Sequence, residues 1–216
     1  MATSGGAAVP FPRSSRRDEQ RAQTRSDLLD AAAQVFAERG YHAASVDLVA
    51  EAAGYTKGAV YSNFDSKEEL FLELLDRRME DSIAGIEQLL FARAAEERAD
   101  LFTGEHPEVE IVDRDWFLLE TEFLLYAARN EQVRSRVQAR QRTIHDRVTE
   151  LLRRHLAELG VPADRLDADH FTRILTAVAT GLARASLADP IEARHIGDLM
   201  AEVGAALVHR AQHPET

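Results

Sequence analysis

Apolar residues recur along most of the chain every three or four positions, which is the spacing of one face of an α-helix. The first such run covers about residues 18–39 and stops at Gly40; its apolar positions are Leu28, Leu29, Ala32, Val35 and Phe36. No run alternates with the two-residue period of a strand, and no internal repeat stands out. The pattern therefore predicts an all-α fold.

Two short helices joined by a tight turn are predicted next. Ser45 is a good N-cap for the first of them, Gly54 supplies the turn, and Thr56 caps the second. Residues 66–69, Ser-Lys-Glu-Glu, form a capping box that begins a fourth helix, which we expect to continue to about residue 99.

The remaining sequence predicts a loop at residues 102–112 and then four more helices. The first of these helices is apolar on most sides, so we expect it at the centre of a larger helical body. Asp189 and Pro190 have the N-cap and first-turn chemistry that begins the last one. The expected spans are residues 113–129, 130–159, 167–187 and 189 to about 209.

Charge is unevenly distributed along the chain. The net charge is −11, but residues 1–64 carry seven basic and seven acidic side chains, so all the excess acid lies beyond them. An acidic body disfavours indiscriminate binding to nucleic acid and leaves contact to one locally suitable surface. The sequence has no cysteine, no apolar run long enough to span a membrane and no signal-peptide pattern, so we expect a cytoplasmic protein that makes no membrane contact.

The second short helix carries the chemistry expected of a DNA-reading surface. Lys57 and Tyr61 are four positions apart and share one helical face, with Gly58 close by. A cation, hydroxyl groups and a glycine at the start of a short helix suit the phosphates and base edges of a DNA groove. The chain has only two lysines, Lys57 and Lys67, and both lie in this segment.

A set of motifs in register extends this interpretation. Within about 50 residues the chain contains Thr24-Arg25, Phe36-Ala-Glu-Arg-Gly40-Tyr41, Ser45-Val46, Ala52-Ala-Gly54, Lys57-Gly58, Tyr61, Phe64 and Ser66-Lys67-Glu-Glu-Leu70. Their order and spacing resemble the N-terminal domain of TetR-family transcriptional regulators of bacteria. The resemblance implies a helix-turn-helix DNA-binding domain at residues 18–65 and a helical effector-binding and dimerisation domain at residues 66–212. Residues 1–17 are expected to be a disordered tail or, alternatively, a basic arm that touches DNA.

The resemblance also implies DNA-binding positions. Ser45 and Lys67 would bind phosphates, and Asn63 stands where the family more often carries histidine. Because one short helix reads only a few base pairs, the expected partner is a palindromic operator in double-stranded DNA, bound by a homodimer. The full set of predicted DNA-binding residues is Thr24, Arg25, Ser45, Thr56, Lys57, Gly58, Tyr61, Asn63 and Lys67.

The last two predicted helices carry apolar stripes beside small residues that allow close helix approach. Two such helices from each subunit would form a four-helix dimer interface, although the same stripes could simply seal the core of one chain. The predicted interface residues are Phe171, Ile174, Leu175, Val178, Leu182, Ile196, Leu199, Met200, Val203 and Leu207.

The central helix at residues 113–129 is the candidate wall of an effector pocket. Trp116, Glu120, Phe123 and Tyr126 combine an acid with aromatic surface, which would suit a cationic or hydrogen-bonding group of a small molecule of unknown identity. In the alternative, Glu120 pairs with an arginine of the following helix and the aromatic residues belong to the core. Proteins similar to TetR commonly bind a small effector in this region and move their reading heads through the fourth helix.

No catalytic constellation is found, so we predict no enzyme activity and no cofactor. His209 and His213 have the spacing of a metal pair but lack a third ligand nearby, and we predict surface histidines and no metal site. Three alternatives stay open at this point: a transcriptional repressor released by an effector, a regulator of the same fold that activates or takes no ligand, and a helical ligand-binding or interaction protein without specific DNA readout.

Overall fold

The computed structural model describes residues 16–91, 113–188 and 193–213. Within these ranges every secondary-structure element is a helix, which confirms the all-α prediction. The expected tail at residues 1–17 lies outside the described residues except for Arg16 and Arg17, which already belong to the first helix. The end of the fourth helix beyond residue 91, the loop at 102–112 and the Asp189–Glu192 helix start also lie outside the described residues. The helices are α1 (Arg16–Ala43), α2 (Val46–Ala53), α3 (Lys57–Tyr61), α4 (Lys67–Phe91), α5 (Arg114–Arg129), α6 (Glu131–Glu158), α7 (Ala168–Ala188) and α8 (Ala193–Gln212).

Capping residues fix the short helices where the sequence predicts them. The Ser45 hydroxyl accepts a hydrogen bond from the Leu48 amide at 3.3 Å and begins α2, and Gly54 ends α2 with a left-handed φ of 71°. In α1 the backbone leaves helical geometry at Gly40, with φ 72° and ψ 169°, which confirms the predicted stop. The final helix extends three residues beyond its expected end, because the Gln212 amide donates to the Leu159 carbonyl at 2.9 Å and anchors the last turn.

We call the three helices α1, α2 and α3 the head. The first of two hydrophobic cores lies beneath these helices. It continues without interruption into the N-terminal half of α4, into α5 and into the start of α6. The predicted boundary at residue 65 therefore separates helices but not cores, since side chains from both sides of it pack together. We call this cluster the head core; its fully buried side chains include Leu28, Phe36, Tyr41, Phe64, Phe71 and Phe123.

A second cluster, the distal core, joins the C-terminal halves of α4 and α6 with α7 and α8. It is mainly aliphatic, and its buried side chains include Ile83, Leu152, Leu156, Phe171 and Val208. Between the two cores lies a polar layer in which Arg140 of α6 is paired with Asp76 of α4 and interacts electrostatically with Glu120 of α5.

Candidate nucleic-acid interface

The DNA-binding residues predicted on α3, together with its N-cap Thr56, are all exposed. The Thr56 hydroxyl accepts a hydrogen bond from the Ala59 amide at 3.2 Å and so fixes the first turn. Lys57 and Tyr61 are 54% and 48% exposed, whereas Val60 and Phe64 are buried in the head core and hold α3 in place. The helix therefore has one face for packing and another free for contact.

Lys57 has a partner that the sequence did not reveal. Its ammonium lies 2.9 Å from a carboxylate oxygen of Asp47 on α2, ten residues away along the chain. The hydrogen bond that Lys57 donates to Asp47, followed by the negative charge of Asp47, raises the pKa of Lys57, so the side chain stays cationic. Because both groups are exposed, the pair is weak and its ammonium can be transferred to an outside anion at little cost.

Gly58 is not required by the packing of the protein. A Cβ atom at this position would meet only the Thr56 hydroxyl oxygen within 4 Å, at a distance of 3.8 Å. A glycine in a helix costs roughly 1 kcal/mol relative to alanine. Open space therefore lies outside α3 at Gly58, and its predicted contact with DNA remains a prediction.

Lys67 occupies a different environment from Lys57. Its ammonium donates to the carbonyls of Tyr41 at 2.6 Å and Ala44 at 2.8 Å, and it lies 4.5 Å from the centre of the Tyr41 ring. Burial lowers the pKa of Lys67. The phosphate contact expected of Lys67 stays a prediction, and the contacts give this side chain a role in holding the turn between α1 and α2.

Arg25 and Asn63 also make contacts inside the protein. The Arg25 guanidinium donates to the Asn63 carbonyl, pairs with Glu73 of α4 and lies 4.4 Å from the centre of the Phe64 ring. The Asn63 side-chain amide donates to the Ala59 carbonyl at 2.8 Å. These contacts join α1, the end of α3 and α4, while Thr24 and Ser45 are half-buried beside them. DNA contacts by these residues remain predictions.

Comparison with known proteins decides the family of this chain. A family model described as bacterial regulatory proteins, tetR family, matches residues 28–74. The transcriptional repressor AcnR of Corynebacterium diphtheriae is 31% identical over 157 residues, which cover 73% of this chain and 77% of AcnR. The chain belongs to the TetR family.

Two further relatives show how far the similarity extends. The transcriptional activator FasR of Mycolicibacterium smegmatis is 46% identical over 74 residues, which cover 34% of this chain but only 32% of FasR. The crystal structure of the transcriptional regulator FadR from Bacillus subtilis, in complex with stearoyl-CoA, shares the fold with a TM-score of 0.58 at 18% identity, over 84% of this chain and 97% of FadR. This TetR-family protein is accordingly a transcriptional regulator and not an enzyme, as the sequence predicted.

The effector-pocket candidates of this TetR-family regulator lie against the head. Phe123 is fully buried, with its ring centre 4.5 Å from that of Phe71 and 4.9 Å from that of Tyr41. Burial raises the pKa of Glu120, an effect that the positive charge of Arg140 partly offsets. This arrangement favours the alternative in which the aromatic residues are core and Glu120 faces an arginine of the next helix.

Two open clefts border the same helix. One of about 340 Å³ lies between α1, α4 and α5 and is bordered by Trp116, whereas one of about 370 Å³ is bordered by His42 and Tyr126. Neither brings all four predicted pocket residues together, so their effector role remains a prediction. No helix in the described ranges is long and apolar enough to cross a membrane.

The dimer candidates of this TetR-family chain divide into two groups. Phe171 and Ile196 are buried within the single chain, so their side chains are not available to a second copy. The other predicted interface residues are half-buried, except Leu199, which is 40% exposed. The ring centres of His209 and His213, beyond this stripe, lie 4.6 Å apart, and the described residues contain no group of three potential metal ligands.

Proposed function

We propose that this protein is a transcriptional repressor located in the bacterial cytoplasm. It binds a palindromic operator as a homodimer and releases the operator when a small effector binds. The observation that carries the DNA-binding part is the exposed face of α3. There Lys57, Gly58 and Tyr61 are accessible while the rest of the helix is fixed by buried side chains. Backbone can approach DNA closely at Gly58, with a cation and a phenol hydroxyl beside it.

The proposed dimer is supported by the surface of α7 and α8. Half-buried Ile174, Val178 and Leu182 share one face of α7 with the exposed Gly181, and Leu199 and Val203 share one face of α8. Small and apolar residues at this spacing suit a four-helix interface between two copies. Such a dimer would present two reading helices to half-sites roughly 34–36 Å apart.

The proposed effector response is supported by the relatives rather than by a cavity of this chain. FadR of Bacillus subtilis was crystallised in complex with stearoyl-CoA, and AcnR is named a repressor. For release, the effector must bind more tightly to a conformation in which the distance between the two heads of the dimer does not match the operator half-sites than to the DNA-bound conformation. FasR is named an activator, so activation is the second candidate function.

The test is selection of bound duplexes from a random DNA pool. We expect the wild type to enrich a palindrome, and the double variant Lys57→Ala/Tyr61→Ala to enrich none. On the selected duplex, Gly58→Ala should bind roughly tenfold more weakly, the loss of about one base contact, while its thermal stability is kept or slightly raised.

The matched control is Arg153→Ala, which removes one exposed positive charge from the distal part of α6. It should bind the selected duplex like the wild type. Enrichment of a single half-site would contradict the dimer, and no enrichment at low and moderate salt would contradict specific DNA readout. Placing the selected operator inside or upstream of a reporter promoter then distinguishes repression from activation.

A further inference from the structure

Residues 40–45, from the kink at Gly40 through the last residues of α1 to Ser45, form a segment that we call the turn. It is held by two side chains that come from outside the head. Lys67 of α4 donates to the carbonyls of Tyr41 and Ala44. Glu122 of α5 accepts a hydrogen bond from the Tyr41 amide at 2.8 Å, across 81 positions of sequence. The turn is thus fixed at its carbonyls by one body helix and at an amide by another.

The Glu122 carboxylate lies directly against the backbone of Gly40. Gly40 has φ 72° and ψ 169°, a combination that side-chain-bearing residues rarely adopt. A Cβ atom at Gly40 would lie 2.9 Å from one carboxylate oxygen of Glu122 and 3.1 Å from the other. Glycine therefore serves two purposes here: it permits the turn, and it lets a body side chain approach the head backbone.

The same stretch of α5 makes two more contacts with neighbouring elements. Tyr126, four residues after Glu122, donates through its hydroxyl to Glu68 of α4 at 2.7 Å. The Tyr41 ring packs with its centre 4.9 Å from that of Phe123 and 5.2 Å from that of Tyr126. The polar contact of Glu122 thus lies beside a packed aromatic contact, which restricts how the turn can rotate.

We propose that Glu122 is a positioning residue for DNA binding: its carboxylate holds the Gly40–Tyr41 turn and thereby sets the orientation of α2 and α3. The geometric reason is direct, because Ser45 ends this turn and begins α2, and α2 leads through Gly54 into the reading helix. A shift of α5 that withdraws the carboxylate frees the turn. The Glu122 contact thereby gives a signal in the body a route to the head through α5.

Three variants of the full-length protein separate this role from simple loss of charge. Glu122→Ala removes the acceptor, and Glu122→Gln keeps an oxygen that can accept from the Tyr41 amide. Asp115→Ala removes the same charge from the same helix at a side chain that is 80% exposed. Comparison with Asp115→Ala cancels the general gain in DNA affinity that follows from deleting one negative charge.

The first readout is amide hydrogen exchange, measured by NMR without DNA. We expect the Tyr41 amide and the amides of α2 to exchange roughly tenfold faster in Glu122→Ala than in Asp115→Ala, as the loss of about one charge-assisted hydrogen bond implies. Glu122→Gln should restore most of the protection. Equal exchange in Glu122→Ala and Asp115→Ala would overturn the proposal, whatever the DNA results.

The second readout is binding to the duplex selected above, so this arm rests on the proposed function. Relative to Asp115→Ala, we expect Glu122→Ala to lose roughly tenfold in affinity for that duplex and nothing for a random duplex, with Glu122→Gln close to the wild type. Equal loss on both duplexes would overturn a positioning role. If the wild type selects no duplex, the proposed function fails, and amide exchange alone decides whether Glu122 holds the head.

Discussion

The head core and the distal core are built differently. The head core contains a network of aromatic rings in which Phe71 contacts Phe36, Trp116 and Phe123, with ring centres between 4.5 and 6.4 Å apart. Among the described residues the distal core has one fully buried phenyl ring, Phe171, and the other buried hydrophobic members of the cluster are aliphatic. Aromatic rings pack with preferred mutual geometries, whereas aliphatic side chains tolerate more arrangements.

This difference shows where the molecule needs a fixed orientation. Rings from α1, α4 and α5 interlock across the line between head and body, so the head cannot rotate without repacking them. The distal core lies beneath the proposed dimer surface, where the apolar character of the face matters more than one exact packing. The polar layer of Asp76, Arg140 and Glu120 separates the two clusters.

The largest expected effect comes from removing one ring from each core. Phe123→Ala and Phe171→Ala should each lower the free energy of unfolding by about 3–5 kcal/mol. Trp116, the only tryptophan, packs against the head core, so its fluorescence reports that core alone while circular dichroism reports all helices. In urea titrations, the circular dichroism of Phe171→Ala should begin to fall at a lower urea concentration than its Trp116 fluorescence changes. In Phe123→Ala the fluorescence should change first.

Coincident fluorescence and circular dichroism transitions in both variants would contradict the view that the two cores unfold separately. They would mean that the polar layer does not divide the protein into separate cooperative units. A variant at an exposed apolar side chain, Leu125→Ala, is the control and should change neither order.

A smaller effect is expected from substituting the two lysines, Lys57 and Lys67, which have different surroundings. Lys67→Met leaves the carbonyls of Tyr41 and Ala44 without their donor and should lower the free energy of unfolding by about 2 kcal/mol. Lys57→Met should leave stability unchanged within error but weaken DNA binding and reduce the slope of log affinity against log salt by about one. Chemical denaturation and binding titrations at several salt concentrations measure both, and the opposite assignment of effects would show that Lys67 is the phosphate contact.

The smallest effect concerns the polar layer. Burial raises the pKa of Glu120 above its ordinary value of 4.5, so its contribution to stability is fully present below that pH and is lost as the pH rises through the folded-state pKa. Glu120→Gln does not titrate. We expect it to gain stability relative to the wild type as the pH rises from about 4 to 7, measured by urea denaturation at each pH. An unchanged difference across this range would show that Arg140 fully compensates the carboxylate.

The helices and the reading residues could be predicted from the sequence because their signals are local. Caps such as Ser45 and Thr56 act three residues away, and Gly40 and Gly54 are glycines because of their own backbone angles. The family motifs lie within one contiguous stretch, so their spacing carries the DNA-binding interpretation without any knowledge of packing.

The contacts between distant parts of the chain could not be predicted in this way. The ion pair between Asp47 and Lys57 depends on how α2 and α3 cross. The hydrogen bond from the Tyr41 amide to Glu122 depends on how α5 packs against the head. For the same reason nothing local in the sequence shows that three carbonyls of another segment surround the Lys67 ammonium, and the phosphate contact of Lys67 stays a prediction. The predicted wall of an effector pocket likewise required the aromatic rings to face a cavity, but Phe123 faces the head.

The surroundings of the two lysines also determine how the protein reacts with amine-selective reagents. Of the two lysine amines, that of Lys57 is the more accessible, because the Lys67 nitrogen is surrounded by carbonyl oxygens. At alkaline pH, where both amines lose their proton, a dilute acylating dye should therefore label Lys67 more slowly than the exposed nitrogen of Lys57, on the helix proposed to enter the DNA groove. Protection of that nitrogen by a duplex would give a footprint of the bound state without any engineered residue.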